Sequence, residues 1–300
     1  MAYEIPEKID LGEQRYVKPL DRQNNKDKSA YDSMFSIEFP KRGFDKLVLS
    51  KRTQKQIDSI ITKIMNYDLL YNKFGLSEID SSNGRTLINL YGPPGTGKSF
   101  AAEAIAYKLN KKIVRANYSE IESKYVGETP KNIKAIFEVA RREDAILIFD
   151  EADSILGKRL SSITQSTDHA VNVAKSVMLL EMDQFSGITI FTTNFGKNYD
   201  SAFVRRIIGH IKFELPDSNE RENILNSLIP DKLPISISRE EKGIIVAKTE
   251  GFSGGDLLNL IIYASSSAVE RDGEKCSIKI NDFLEALNLI KEAKLNIGLD

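Results

Sequence analysis

Isoleucines at 57, 60, 61 and 64 recur at the three- and four-residue intervals of one helical face, shortly after Ser50, a residue type that caps helix starts. The spacing predicts a helix from about residue 51 to the Phe74-Gly75 break, followed by a polar loop at Asp80-Ser-Ser-Asn-Gly84. From Thr86 the period changes. Short apolar runs stand at Thr86–Tyr91, Lys112–Ala116, Ala145–Phe149, Gly187–Thr192 and Ile211–Leu215. Helical stretches such as Phe100–Leu109 and Lys131–Arg142 separate them. Strands alternating with helices predict an α/β fold, a five-stranded parallel sheet covered on both faces. In such a sandwich, ligands sit at the carboxyl ends of the strands. Beyond Pro216-Asp217 only helical patterns remain, at Glu220–Leu228, Arg239–Thr249, Gly255–Arg271 and Asn281–Lys294, which predicts a small all-α unit. The polar, aperiodic stretch Lys18–Ser29 lacks the apolar surface that would offset ordering entropy. The expected organisation is a flexible extension over 1–40, an αβα unit over 41–217 and a helical unit over 218–300.

Composition narrows the class. The 300 residues carry 42 Lys and Arg against 43 Asp and Glu, a net charge of −1, which disfavours a nucleic-acid binder held by charge. One cysteine, Cys276, excludes an internal disulfide, and with His169 and His210 it leaves too few ligands for a Cys/His zinc site. No run of about 18 apolar residues predicts a membrane span. The opening Met-Ala-Tyr-Glu-Ile-Pro-Glu-Lys has no basic-then-apolar signal, so the expected compartment is the cytoplasm.

The chemistry is concentrated after the first strand. Gly92-Pro-Pro-Gly-Thr-Gly-Lys98-Ser99 matches G-x-x-x-x-G-K-[ST], the phosphate-binding P-loop, between a predicted strand and a predicted helix. Its glycines let successive N–H groups turn toward phosphate oxygens, and the helix N-terminus adds partial positive charge. Lys98 would reach the β- and γ-phosphates and Ser99 would join a Mg²⁺ shell. The nucleotide-contacting set is Gly92, Pro94, Gly95, Thr96, Gly97, Lys98, Ser99 and Phe100, and ATP with Mg²⁺ is the expected ligand pair. The run Ala145–Phe149 ends in Asp150-Glu151. Asp150 is placed to hold Mg²⁺ and Glu151 to polarise the attacking water. Asp150-Glu-Ala-Asp153 also spells the box of one RNA helicase family, but the second Arg-rich domain of such helicases is missing.

These motifs resemble the AAA+ ATPases, and within them the AAA clade proper, over about residues 43 to 290. Leu228–Pro230, Leu233–Ile235 and the Phe203–Arg206 spelling look most like bacterial single-ring members. The resemblance implies that Asn194, at the end of the fourth predicted strand, helps to place the lytic water. It implies that Asp200–Arg206 is an arginine-finger segment that completes a neighbour's site, with Arg205 and Arg206 both candidates. Gly254 and Gly255, inside Gly251-Phe-Ser-Gly-Gly-Asp256, would back the nucleotide, and the backbone near Val48 would contact adenine.

The same resemblance places a pore loop at Lys124, Tyr125 and Val126. An aromatic ring on such a loop grips an extended chain without reading its sequence. The function that the resemblance implies is a ring-forming homo-oligomer, a hexamer, that hydrolyses ATP to remodel a protein substrate, without membrane insertion. A nucleic-acid motor or loader, and a nucleotide-gated scaffold, are the alternatives.

Overall fold

The computed structural model describes residues 34–80, 82, 84–121, 128–158, 166–194, 196 and 199–298. Ser50 starts the first helix, α1 (Lys51–Met65), its Oγ accepting the Thr53 N–H at 3.1 Å. Ile57 and Ile61 are buried, and Ile60 and Ile64 pack beside them. The chain continues through a wider helical turn, Asp68–Lys73, and leaves it at Gly75 (φ 76°).

Six strands form one sheet: β1 (Phe35–Glu38), β2 (Thr86–Tyr91), β3 (Ile113–Asn117), β4 (Ile146–Asp150), β5 (Ile188–Thr193) and β6 (Gly209–Lys212), in the order β1-β3-β4-β5-β2-β6. Five are parallel, as the pattern predicts. The sixth, β1, runs antiparallel to β3 with Ser36 opposite Arg115. Residues 35–38 thus form the sheet edge, where the composition of the first 40 residues predicts a flexible extension. Phe35-Ser-Ile-Glu-Phe39 does alternate apolar and polar, but four paired residues are too few to stand out from a loop. The expected last strand, Ile211–Leu215, lies earlier, at Gly209–Lys212. The alternation of Ile211, Phe213 and Leu215 continues past the strand because Leu215 lines a cavity instead of the core.

Alternate residues of β2, β3, β4 and β5 feed two cores. Leu87, Phe149 and Phe191 pack under α3 (Glu128–Arg142) and α4 (Ser166–Gln184), and Ile88, Ile148 and Ile190 pack under α1 and α2 (Lys98–Lys108). Burial on both faces is why the central strands read as continuous apolar runs. The register sets Tyr91 beside Thr193 and Asn117 beside Asp150. Everything that follows β2, β4 and β5 therefore meets along one edge.

Asn89, in the middle of β2, is fully buried, and neither side-chain polar atom has a hydrogen-bond partner among the described residues. Leucine has the same branching and heavy-atom count without the desolvation cost. Asn89→Leu is expected to raise the unfolding free energy by about 1–3 kcal/mol, read as a higher urea midpoint at unchanged slope.

A third core joins α5 (Ser218–Leu228), α6 (Arg239–Lys248), α7 (Gly254–Asp272) and α8 (Ile280–Asn296) around Phe252, Leu257, Leu260 and Phe283. Asp217 with Glu220, Ser238 with Glu241 and Ser253 with Asp256 form reciprocal caps on α5, α6 and α7. Each satisfies two otherwise orphaned N–H groups. Among the described residues no helix is long and apolar enough to cross a membrane.

Candidate active site

The loop between β2 and α2 bends where only glycine fits. Gly92 has φ 145°, and a Cβ there would stand 2.0 Å from the Phe213 carbonyl oxygen. Gly95 has φ 72°, and its Cβ would stand 2.5 Å from Ser253 Oγ. The turn delivers Lys98 to the first position of α2. Its buried Nζ donates to the carbonyls of Gly92 and Pro93, both at 2.8 Å. Burial pushes the Lys98 amine below the usual lysine range, and the nearby Asp153 carboxylate acts in the opposite sense. An amine folded onto its own loop, partly stripped of water, is suited to meet anionic oxygens.

Ser99 Oγ donates to Asp150 Oδ1 at 3.0 Å, and Thr192 Oγ1 donates to the same oxygen at 2.7 Å. Glu151 follows in the left-handed region at φ 53°, a conformation costly for a non-glycine residue. That twist takes Glu151 off the strand line, and it lines the cavity together with Asn194. Asn194 follows β5, and its backbone N–H donates to Asp153 Oδ1 at 3.1 Å. Pro94, Gly95, Lys98, Ser99, Asp150 and Glu151 thus share the wall of one polar cavity of about 480 Å³.

A second recess of about 420 Å³ adjoins it, with Gly95, Gly97 and Phe100 common to both. Its walls include Val48, Leu215, Ile224, Leu228 and Leu258. Thr96, Gly254 and Gly255 line it too, and Gly255 N–H donates to the Gly95 carbonyl at 3.0 Å. At the α7 cap, burial drives the Asp256 carboxyl upward, but hydrogen bonds from Lys294 and Ser253 outweigh it and hold the group below the usual range. The apolar recess suits a flat base, and the polar cavity suits a chain of phosphates.

The two arginines differ. Arg206 is held by Asp183, with Nε at 2.9 Å from Oδ1 and Nη2 at 2.8 Å from Oδ2, and Arg85 reaches the same carboxylate. Arg205 is exposed and makes no ion pair with a described residue. Neither lines either cavity. Lys124, Tyr125 and Val126 lie outside the described residues. Thr192, in the segment that ends at Asn194, lines the polar cavity; Asn117 lines it too and Arg115 lies behind Asp150 outside the cavity wall, and neither of these two is marked by any of the motifs. Arg115 does carry a signal, as the one charged residue inside the apolar run Ile113–Ala116.

A family model described as the ATPase family associated with various cellular activities (AAA) matches residues 88–215, and one described as an AAA+ lid domain matches residues 244–285. A proteasome-activating nucleotidase of Saccharolobus solfataricus is 35% identical over 67% of this chain and 52% of its own length. Spastin of Ixodes scapularis is 30% identical over 70% of this chain and 34% of its own. The chain thus spans about half, or less, of the length of these curated relatives. The crystal structure of the FIGL-1 AAA domain in complex with ADP superposes with a TM-score of 0.72 at 21% identity, covering 91% of this chain and 92% of the other.

Proposed function

We propose that this chain, which belongs to the AAA+ ATPases, hydrolyses ATP as a ring of identical subunits and uses the energy to remodel a protein substrate. Nucleotide binding comes with the family. The observation that carries the rest is that Lys98, Ser99, Asp150, Glu151 and Asn194 line one cavity while the exposed Arg205 lies outside it, in no ion pair with a described residue.

The geometry supports a division of labour. Val48 and Leu215 enclose the base, and the β2–α2 loop presents its N–H groups to the phosphates. Lys98 leaves its two carbonyl partners for the terminal phosphates. Ser99 and Asp150 are hard oxygen donors on one edge, and no group of three or more His, Cys, Asp or Glu among the described residues forms a metal cage. So sparse a donor set fits Mg²⁺, which keeps most of its waters and shares its shell with substrate phosphates. When bound, the ion neutralises charge on the phosphate oxygens. Glu151 accepts a proton from water as the water oxygen bonds to the terminal phosphorus, the bond from that phosphorus to the bridging oxygen breaks and ADP leaves with that oxygen, while Asn194 orients the water. Arg205 of a neighbouring subunit balances the charge that develops on the transferring group. Proteins related to this one include a proteasome-activating nucleotidase, which supports polypeptide as the substrate, with Tyr125 as the gripping ring.

ATPase activity measured against protein concentration tests this reading. Specific activity is expected to rise with concentration as sites are completed by neighbours, and an unfolded polypeptide is expected to stimulate it where DNA and RNA do not. Constant specific activity in a preparation that sizes as a monomer would overturn the shared site.

A further inference from the structure

Asp150 is engaged on both oxygens, and the two have different company. Oδ1 accepts from Ser99 and Thr192, which line the phosphate cavity, at 3.0 and 2.7 Å. Oδ2 accepts from Arg115 Nη1 at 2.6 Å. Arg115 is itself aimed: its Nε donates to Glu38 Oε1 at 3.0 Å, and Ser36 Oγ donates to that same oxygen at 2.7 Å. The pairing of β1 with β3, and of β3 with β4, sets these groups in a row from the sheet edge to the cavity. Ordinary strand packing does not call for this row. Arg115 and Asp150 are each only about one-fifth exposed, so the pair is well shielded from water and salt.

We propose that Arg115 is a positioning residue that selects Mg²⁺ over larger divalent cations by keeping Asp150 from offering both oxygens. This rests on the reading of Asp150 and Ser99 as the metal edge. The two ions ask different things of a carboxylate. Mg²⁺ requires tight octahedral geometry and retains water, so one fixed oxygen serves it. Ca²⁺ takes six to eight oxygens and accepts a carboxylate in the two-oxygen mode. A guanidinium on Oδ2 occupies the second oxygen and also stops the carboxylate from rotating. Arginine suits the task because its planar fork addresses Glu38 through Nε and Asp150 through Nη1 at once, which a lysine ammonium at the end of a flexible stem does not reproduce. Glu38 fixes where the fork points, so the edge strand takes part in metal choice from outside the cavity.

The test is metal binding to the ADP-loaded protein, with Ca²⁺ and Mg²⁺ each competing against Mn²⁺ followed by its paramagnetic resonance signal. In Arg115→Met the Ca²⁺ affinity relative to Mg²⁺ is expected to rise by about tenfold, the scale on which partners of metal-binding groups act. ADP affinity in EDTA is expected to stay within about twofold of the parent, since no described contact of Arg115 is with the loop or the recess. Glu38→Gln leaves the arginine and the aspartate in place, is the milder change for folding, and is expected to shift the ratio in the same direction by less. An unchanged ratio in both variants overturns the inference. So does a parental ratio in Arg115→Lys, because positive charge alone would then suffice. Asp150→Asn separates the two levels: if Mn²⁺ binds that variant as it binds the parent, the metal-edge reading fails. If Asp150→Asn weakens Mn²⁺ while Arg115→Met leaves the ratio alone, only the selection argument falls.

Discussion

Arg205→Ala is expected to lower the steady-state ATPase rate by about 10³–10⁵-fold, the range over which an arginine supplied to a transferring phosphoryl group acts. Nucleotide affinity and the unfolding midpoint should stay close to the parent, because the Arg205 side chain is exposed and holds no described partner. Arg206→Ala is the contrasting control. Its guanidinium is tied to Asp183 beside Arg85, so its loss is expected to reduce stability by at most about 1 kcal/mol and to slow hydrolysis far less. Mixing decides whether the arginine works across subunits. Arg205→Ala subunits keep Glu151, and Glu151→Gln subunits keep Arg205. In randomly mixed rings with head-to-tail contacts, roughly a quarter of the interfaces pair an intact site with an intact arginine. Activity should therefore reappear on mixing two inactive preparations. No recovery, in rings shown by sizing to have mixed, would place the arginine in its own subunit's site and end the shared-site reading.

Glu151→Gln is expected to cut turnover by about 10²–10⁴-fold while leaving ATP binding intact. The replacement keeps size and backbone preference, so the strained turn at φ 53° survives and only the proton acceptor is lost. The measurement is single-turnover hydrolysis beside equilibrium binding of ATP. A variant that binds ATP and still hydrolyses within tenfold of the parent would move the water-activating role to another group. Asp153, which accepts the Asn194 backbone N–H, is then the carboxylate to examine.

Residues whose geometry is local are legible in the amino-acid sequence alone. Glycines at 92, 95 and 97 with Lys98 and Ser99 dictate their turn within eight positions, and the apolar run ending in Asp150-Glu151 announces a buried strand with an acidic tip. Ser50 announces a helix start in the same way, because a cap is a matter of three residues. What stays hidden depends on distant partners. β1 exists because β3, more than 70 residues later, pairs with it. The difference between Arg205 and Arg206 lies in Asp183, on a helix elsewhere in the chain, so spelling cannot tell apart two adjacent and chemically identical side chains. Leu215 reads as strand because its apolar character serves a cavity wall, and periodicity does not distinguish a wall from a core.

That wall has a mechanical meaning. Leu215, Pro216 and Asp217 form the connection between the sheet unit and the helical unit, and the same three residues line the recess beside Val48. A backbone contact from Gly255 to Gly95 also joins the two units at the phosphate loop. A body joined to another by a strap and a latch, with the gap between them as its pocket, has little freedom to change one without the other. The volume of the recess and the tilt of the helical unit are therefore expected to change together, which small-angle scattering with and without nucleotide would check.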